Sequence, residues 1–219
     1  MLLSWQDTYK APDRPGIYCW YYLPRLTQKT ISNHLCEFGN TDSSQKKSEL
    51  LAKFLSNNLF RFFNPQNLRS TVKGRMKFIQ KGVLENKTEI STEIASKILS
   101  RPDVLVRFLS YLERKEMVYF CSPIYIGSAK KSLHARIEQH RRSILAQLDD
   151  STEYFDSITD ASDKKEMMTF ARDVIKRRMQ PENLLVFVLE VNEHEMSNDL
   201  IIMLENFLNR ITFPICGRN

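Results

Sequence analysis

Residues 14–22 read RPGIYCWYY, and the apolar and aromatic positions from Gly16 to Tyr22 follow the two-residue period of a strand. That period sets Ile17, Cys19 and Tyr21 on one face and Tyr18, Trp20 and Tyr22 on the other, with Pro15 and Pro24 suited to the strand limits. Residues 116–127, EMVYFCSPIYIG, are again rich in strand formers and end on Gly127. Residues 183–191 form a nearly continuous apolar run, as a central strand buried on both faces does. Helical spacing covers Lys46–Leu59, Ser70–Lys81, Thr92–Leu99 and Pro102–Leu112, the last with Pro102 in its first turn. Ser132 is positioned to cap a helix running to about Leu148, with Leu133, Ile137, Ile144 and Leu148 as its apolar line. Further helices are predicted over Lys164–Met179 and Ser197–Ile211, the latter with Leu200, Leu204, Phe207 and Ile211 at helical spacing. Residues 33–45 and the acidic stretch 149–163 read as loops.

Residues 1–22 and 116–219 therefore give the order strand, strand, helix, loop, helix, strand, helix. This predicts an α+β core with a small three-stranded mixed sheet flanked by helices. Residues 23–115 form a large, mostly helical insertion between the first two strands. Lengthening a loop costs only about 0.6 kcal/mol per doubling, so the insertion does not forbid pairing of the strands on either side of it.

No apolar run approaches the roughly 20 residues that span a bilayer, and the first 14 residues are too polar for a secretory signal. A cytoplasmic protein without a membrane partner is expected. Cys19, Cys36, Cys121 and Cys216 are scattered, and neither they nor the four histidines show the spacing of a zinc site. The net charge of +6 is unevenly spread: residues 23–120 hold 17 Lys and Arg against 9 Asp and Glu, and residues 50–84 hold seven basic side chains and no acidic one. A basic block of this kind suits a polyanion, nucleic acid first among them. Within it, Lys73, Arg75, Lys77 and Lys81, interleaved with Phe62 and Phe78, are candidates to follow a DNA backbone. Lys130 and Lys131, just after Gly127, are candidates to touch phosphate.

Gly16-Ile17-Tyr18 and Tyr125-Ile126-Gly127 resemble the two signature triplets of the GIY-YIG nuclease superfamily. The resemblance covers residues 14–22 and 116–219, about half of the chain. It extends to Arg136 and His140, one turn apart on the helix after the second triplet, to Glu205 on a later helix, and to Asn219 following Pro214. In the family a hairpin's length separates the triplets, whereas 106 residues separate Tyr18 from Tyr125 here.

The resemblance implies a Mg²⁺- or Mn²⁺-dependent endonuclease acting on double-stranded DNA. It assigns Tyr18 as general base, Tyr125 as the group orienting water or phosphate, and Arg136 as the clamp on the phosphate. It assigns Glu205 as the metal ligand, with His140 and Asn219 completing the site. A phenol titrates near 10, so the base role calls for positive charge beside Tyr18, from Arg136 or a protonated His140. A stand-alone chain of this size resembles the restriction or phage-defence members, of bacterial or phage origin. One site cuts one strand, which points to a homodimer. DNA recognition then falls to the insertion. The alternatives are a structure-specific DNA repair nuclease, or a non-catalytic nucleic-acid-binding protein on the same scaffold.

Overall fold

The computed structural model describes residues 1–24, 37, 40–60, 90–101, 107, 110–111, 114–191, 197–212 and 214–216. The chain divides into two compact units, one comprising Met1–Arg25 with Leu109–Asn219 and the other Leu26–Phe108.

The first unit is α+β, built on a four-stranded sheet of β1 (Leu2–Ser4), β2 (Gly16–Tyr22), β3 (Tyr125–Ala129) and β4 (Leu184–Glu190) in the order β1-β4-β2-β3. Every pairing is antiparallel, so the expected mixed, three-stranded sheet is corrected on both counts. The extra strand pairs Leu3 with Val186, and the terminal amine donates to the Val188 carbonyl at 2.7 Å. Three residues are too few to show a period, which is why β1 is invisible to pattern reading. β2 pairs with β3 across the long excursion, Tyr18 opposite Gly127 and Trp20 opposite Tyr125.

The strand period divides the sheet into two faces, as β2 predicts. Ile17, Cys19 and Ile126 pack with Val191 and Ile201 on one of them. On the other, Tyr18, Trp20 and Tyr125 pack with His140 and Phe170. Residues 116–124 do not extend β3; Lys115–Phe120 is a 3-10 turn in which Val118 is buried while Tyr119 and Phe120 stand exposed. Alternation of strand-forming residues is blind to that difference, because only Val118 finds a core to enter.

In the second unit, α1 (Ser44–Leu55) is capped by Ser43 and continues into a π-helical turn, Ser56–Phe60, and α2 (Thr92–Leu99) is capped by Ser91 and packs on α1. The Ser56 hydroxyl accepts from the Ile90 amide at 3.0 Å, joining the two ends of that helix pair. The predicted helix Ser70–Lys81 and most of Pro102–Leu112 lie outside the described residues.

Back in the first unit, α3 (Leu133–Leu148) follows β3, α4 (Ala161–Lys176) packs on α3, and α5 (Asn198–Thr212) lies against β3 and β2. The Ser132 hydroxyl caps α3 at 2.9 Å from the Ala135 amide. Leu133, Ile137 and Ile144 are buried, whereas Leu148 is exposed. The acidic stretch 149–163 contains a single helical turn, Glu153–Asp156, and the start of α4, where the Asp160 carboxylate caps the Asp163 amide at 2.9 Å.

Candidate active site

Both triplet glycines are required by packing. A Cβ at Gly16 would strike the Leu189 carbonyl oxygen and come within 2.8 Å of Leu133 Cδ1, so only glycine lets β4 and the start of α3 close over the strand. A Cβ at Gly127 would strike the Tyr18 hydroxyl and lie 2.6 Å from Tyr18 Cζ. The phenol of Tyr18 lies flat across the residue paired with it, which is possible only where that residue has no side chain.

The next helix is fixed to the same strand. At the first turn of α3 the amides of Leu133 and His134 donate to the carbonyls of Arg14 and Pro12 at 2.8 and 3.0 Å, using donors that a helix start leaves free. That attachment sets Arg136 and His140, one turn apart, over the Tyr18–Tyr125 pair. His140 Nε2 stands 2.6 Å from the Tyr18 hydroxyl oxygen. The imidazole is boxed by Tyr18, Tyr125 and Phe170 at centroid distances of 5.4, 5.0 and 4.9 Å. Tyr18 and His140 are both 0% exposed, so bulk water does not reach the pair in this arrangement. His140 Nδ1 has no hydrogen-bond partner among the described residues.

Two residues that pattern reading passed over complete the inner site. Glu166, on α4, accepts the Tyr125 hydroxyl on one carboxylate oxygen and holds Arg136 Nη2 at 2.9 Å with the other. Asp163, one turn earlier, holds Arg136 Nη1 at 3.1 Å. The guanidinium, 14% exposed, is therefore fully engaged by a pair of carboxylates. The i, i+3 spacing of these acids was legible, but an acidic helix start reads as ordinary dipole complementarity and names no partner.

The electrostatics follow from burial. Desolvation pushes the Tyr18 phenol well up, against the opposing field of Arg136 and with Glu166 adding to the rise. Tyr125 is raised well above its usual value by burial and by Tyr18 and Glu166. His140 is held well below its usual range by burial, with Arg136 adding to the effect, and is neutral at pH 7. Arg136 is always charged: burial works against its cation, and Tyr18, Glu166 and Asp163 outweigh it. The lowering of Tyr18 that a base role requires is thus not delivered here. His140 carries no charge to give, and the charge of Arg136 is answered by Asp163 and Glu166.

Glu205 comes from α5, on the opposite face of the sheet, and reaches the same place around the edge strand β3. It accepts the Ser128 hydroxyl on one oxygen, and its other oxygen has no hydrogen bond among the described residues. Burial raises its pKa; the Ser128 bond and Arg136 oppose the rise and Glu166 adds to it. Among the described residues no three His, Cys, Asp or Glu side chains gather as a metal cage. The donor set fits Mg²⁺ or Mn²⁺ better than zinc: hard oxygen from one or two carboxylates, with water supplying the rest. Glu205 is the member with coordinating capacity in hand, since both oxygens of Glu166 are occupied.

Tyr18, Tyr125, Arg136, His140 and Glu205 therefore lie within hydrogen-bond or electrostatic reach of one another. Lys130 and Lys131 are exposed at the β3–α3 turn, and Lys130 acts electrostatically on Glu205. Asn219, Lys73, Arg75, Lys77 and Lys81 lie outside the described residues. No family model, curated protein or solved structure matches the chain. Among the described residues no helix is long and apolar enough to cross a membrane.

Proposed function

We propose that this chain is a Mg²⁺- or Mn²⁺-dependent endonuclease of the GIY-YIG type, hydrolysing phosphodiester bonds in double-stranded DNA as a restriction or phage-defence enzyme. One observation carries the reading: a phenol pair, a guanidinium and an imidazole from β2, β3 and α3 meet a partly buried carboxylate from α5 at a single sheet edge. Hydrolysis of a phosphodiester needs charge relief on the phosphate and a group that takes a proton from water. Arg136 supplies the first once phosphate displaces Asp163 and Glu166 from its planar fork. For the second, the 2.6 Å contact offers a route that requires no free phenolate. Tyr18 takes the proton of the attacking water as it passes its own to the lone pair on His140 Nε2. A cation held by Glu205 would add Lewis-acid stabilisation of the phosphate and a more acidic bound water.

The test is nicking of supercoiled plasmid with Mg²⁺, with EDTA as control. Glu205→Ala lowers cleavage about a hundredfold or more while plasmid binding is retained. A Glu205→Ala protein that cuts at the parent rate removes the metal assignment. A second reading, a nucleic-acid-binding protein that does not cut, is favoured by the complete burial of Tyr18 and His140 and by the two acids on Arg136. Binding without any nicking in Mg²⁺ or Mn²⁺ selects that reading.

A further inference from the structure

The expected apolar line of α5 does not all face the sheet. Ile201, Leu204 and Leu208 pack inward, while Leu200, Met203, Phe207 and Ile211 are 46%, 65%, 57% and 55% exposed. Those four recur at spacings of three and four, so they form one continuous outer stripe about 22 Å long or less on a helix of 15 residues. Single exposed apolar side chains are unremarkable, but a stripe of four large ones along one helix marks an interaction face.

The pattern along that stripe is symmetric. Leu200 with Ile211, and Met203 with Phe207, are placed evenly about position 205. Asp199 and Arg210 are placed evenly about the same point. By helical spacing both charges flank the stripe on the same side, and both are exposed and without an ion-pair partner among the described residues. When two copies of such a helix run antiparallel across a twofold axis, like flanks face each other. The N-terminal Asp199 of one then meets the C-terminal Arg210 of the other, twice. We infer that the outer face of α5 is an isologous dimer interface whose occupant is the α5 of a second copy of this chain. Charge complementarity selects that occupant: a helix carrying acid at one end and base at the other, on one flank, complements itself only in the antiparallel sense. The inference stands on α5 alone and does not depend on the nuclease reading.

The experiment is sedimentation equilibrium of the full chain from micromolar to hundreds of micromolar, without DNA or metal. The expected result is concentration-dependent association to twice 25.8 kDa. Arg210→Asp raises the dimer dissociation constant about tenfold by turning two attractions into two repulsions. Asp199→Arg combined with Arg210→Asp restores it to near the parent value, which general destabilisation does not do. Met203→Asp with Phe207→Asp gives a monomer with an unchanged circular dichroism spectrum. A parent protein that stays at 25.8 kDa throughout overturns the inference. So does a dimer whose affinity ignores both the charge exchange and the apolar substitutions.

Discussion

Gly127→Ala tests the geometry on which the site rests. Gly127 has no positive φ to protect, so the effect is one of space alone. The added methyl would overlap the Tyr18 hydroxyl and lie 2.6 Å from Tyr18 Cζ and 2.9 Å from Tyr125 Cε1. Tyr18 is wedged among His140, Tyr125 and β2 in a face with no solvent to retreat into. Overpacking of this kind costs about 1–3 kcal/mol. Moving the phenol also breaks its bond to His140, leaving two buried polar groups unmatched for a further ~1–3 kcal/mol. A loss of about 2–4 kcal/mol is expected in urea unfolding, read from the midpoint at unchanged slope and followed by fluorescence of Trp5 and Trp20, both buried in this face. In a Tyr18→Leu background, where hydroxyl and Cζ are gone, the same substitution costs less than half as much, since only the Tyr125 edge remains close. A Gly127→Ala protein within about 0.5 kcal/mol of the parent, or an equal cost in both backgrounds, refutes the reasoning.

Glu166→Gln keeps the acceptor for the Tyr125 hydroxyl but removes one of the charges on Arg136. It frees the guanidinium for phosphate, and fluorescence anisotropy should show DNA binding tightened several-fold at low salt; weaker binding would make Glu166 a positioning partner of Arg136 rather than its competitor. His140 gives a pH signature. Its pKa is lower folded than unfolded, so its contribution to stability is present above the unfolded value, about 6.5, and is lost as pH falls below that. Between pH 6.5 and 5 the parent should lose stability more steeply than His140→Gln, by up to about 1.4 kcal/mol per pH unit; parallel profiles would mean that the imidazole is not buried in its neutral form.

Pattern reading reached the strands Gly16–Tyr22 and Leu184–Glu190 nearly residue for residue, because a buried strand must be apolar wherever it meets a core. It reached α3 through Ser132 and its first apolar turns. It failed at residues 115–120, where strand-forming residues sit in a 3-10 turn, and at β1, too short to carry a period. On α5 it took Leu200, Phe207 and Ile211 for the buried line, because hydropathy does not say which of two apolar stripes meets the sheet. The candidate site divided in the same way. Tyr18, Tyr125, Arg136, His140 and Glu205 could be singled out from residue type and order, and Glu166 and Asp163 could not.

What the sequence by itself determined is the local chemistry: which segments alternate, which repeat every three or four residues, where a hydroxyl or carboxylate caps a helix, and that two glycines accompany two tyrosines. Only the tertiary structure decided that β2 finds β3 across 106 residues of other chain, and that both glycines are demanded by what lies on top of them. It also decided the protonation states, Tyr18 up and His140 down, and the capture of Arg136 by acids from another helix. The physical reason is that propensity and capping act over a few residues of chain, whereas desolvation and ion pairing depend on which atoms are near in space.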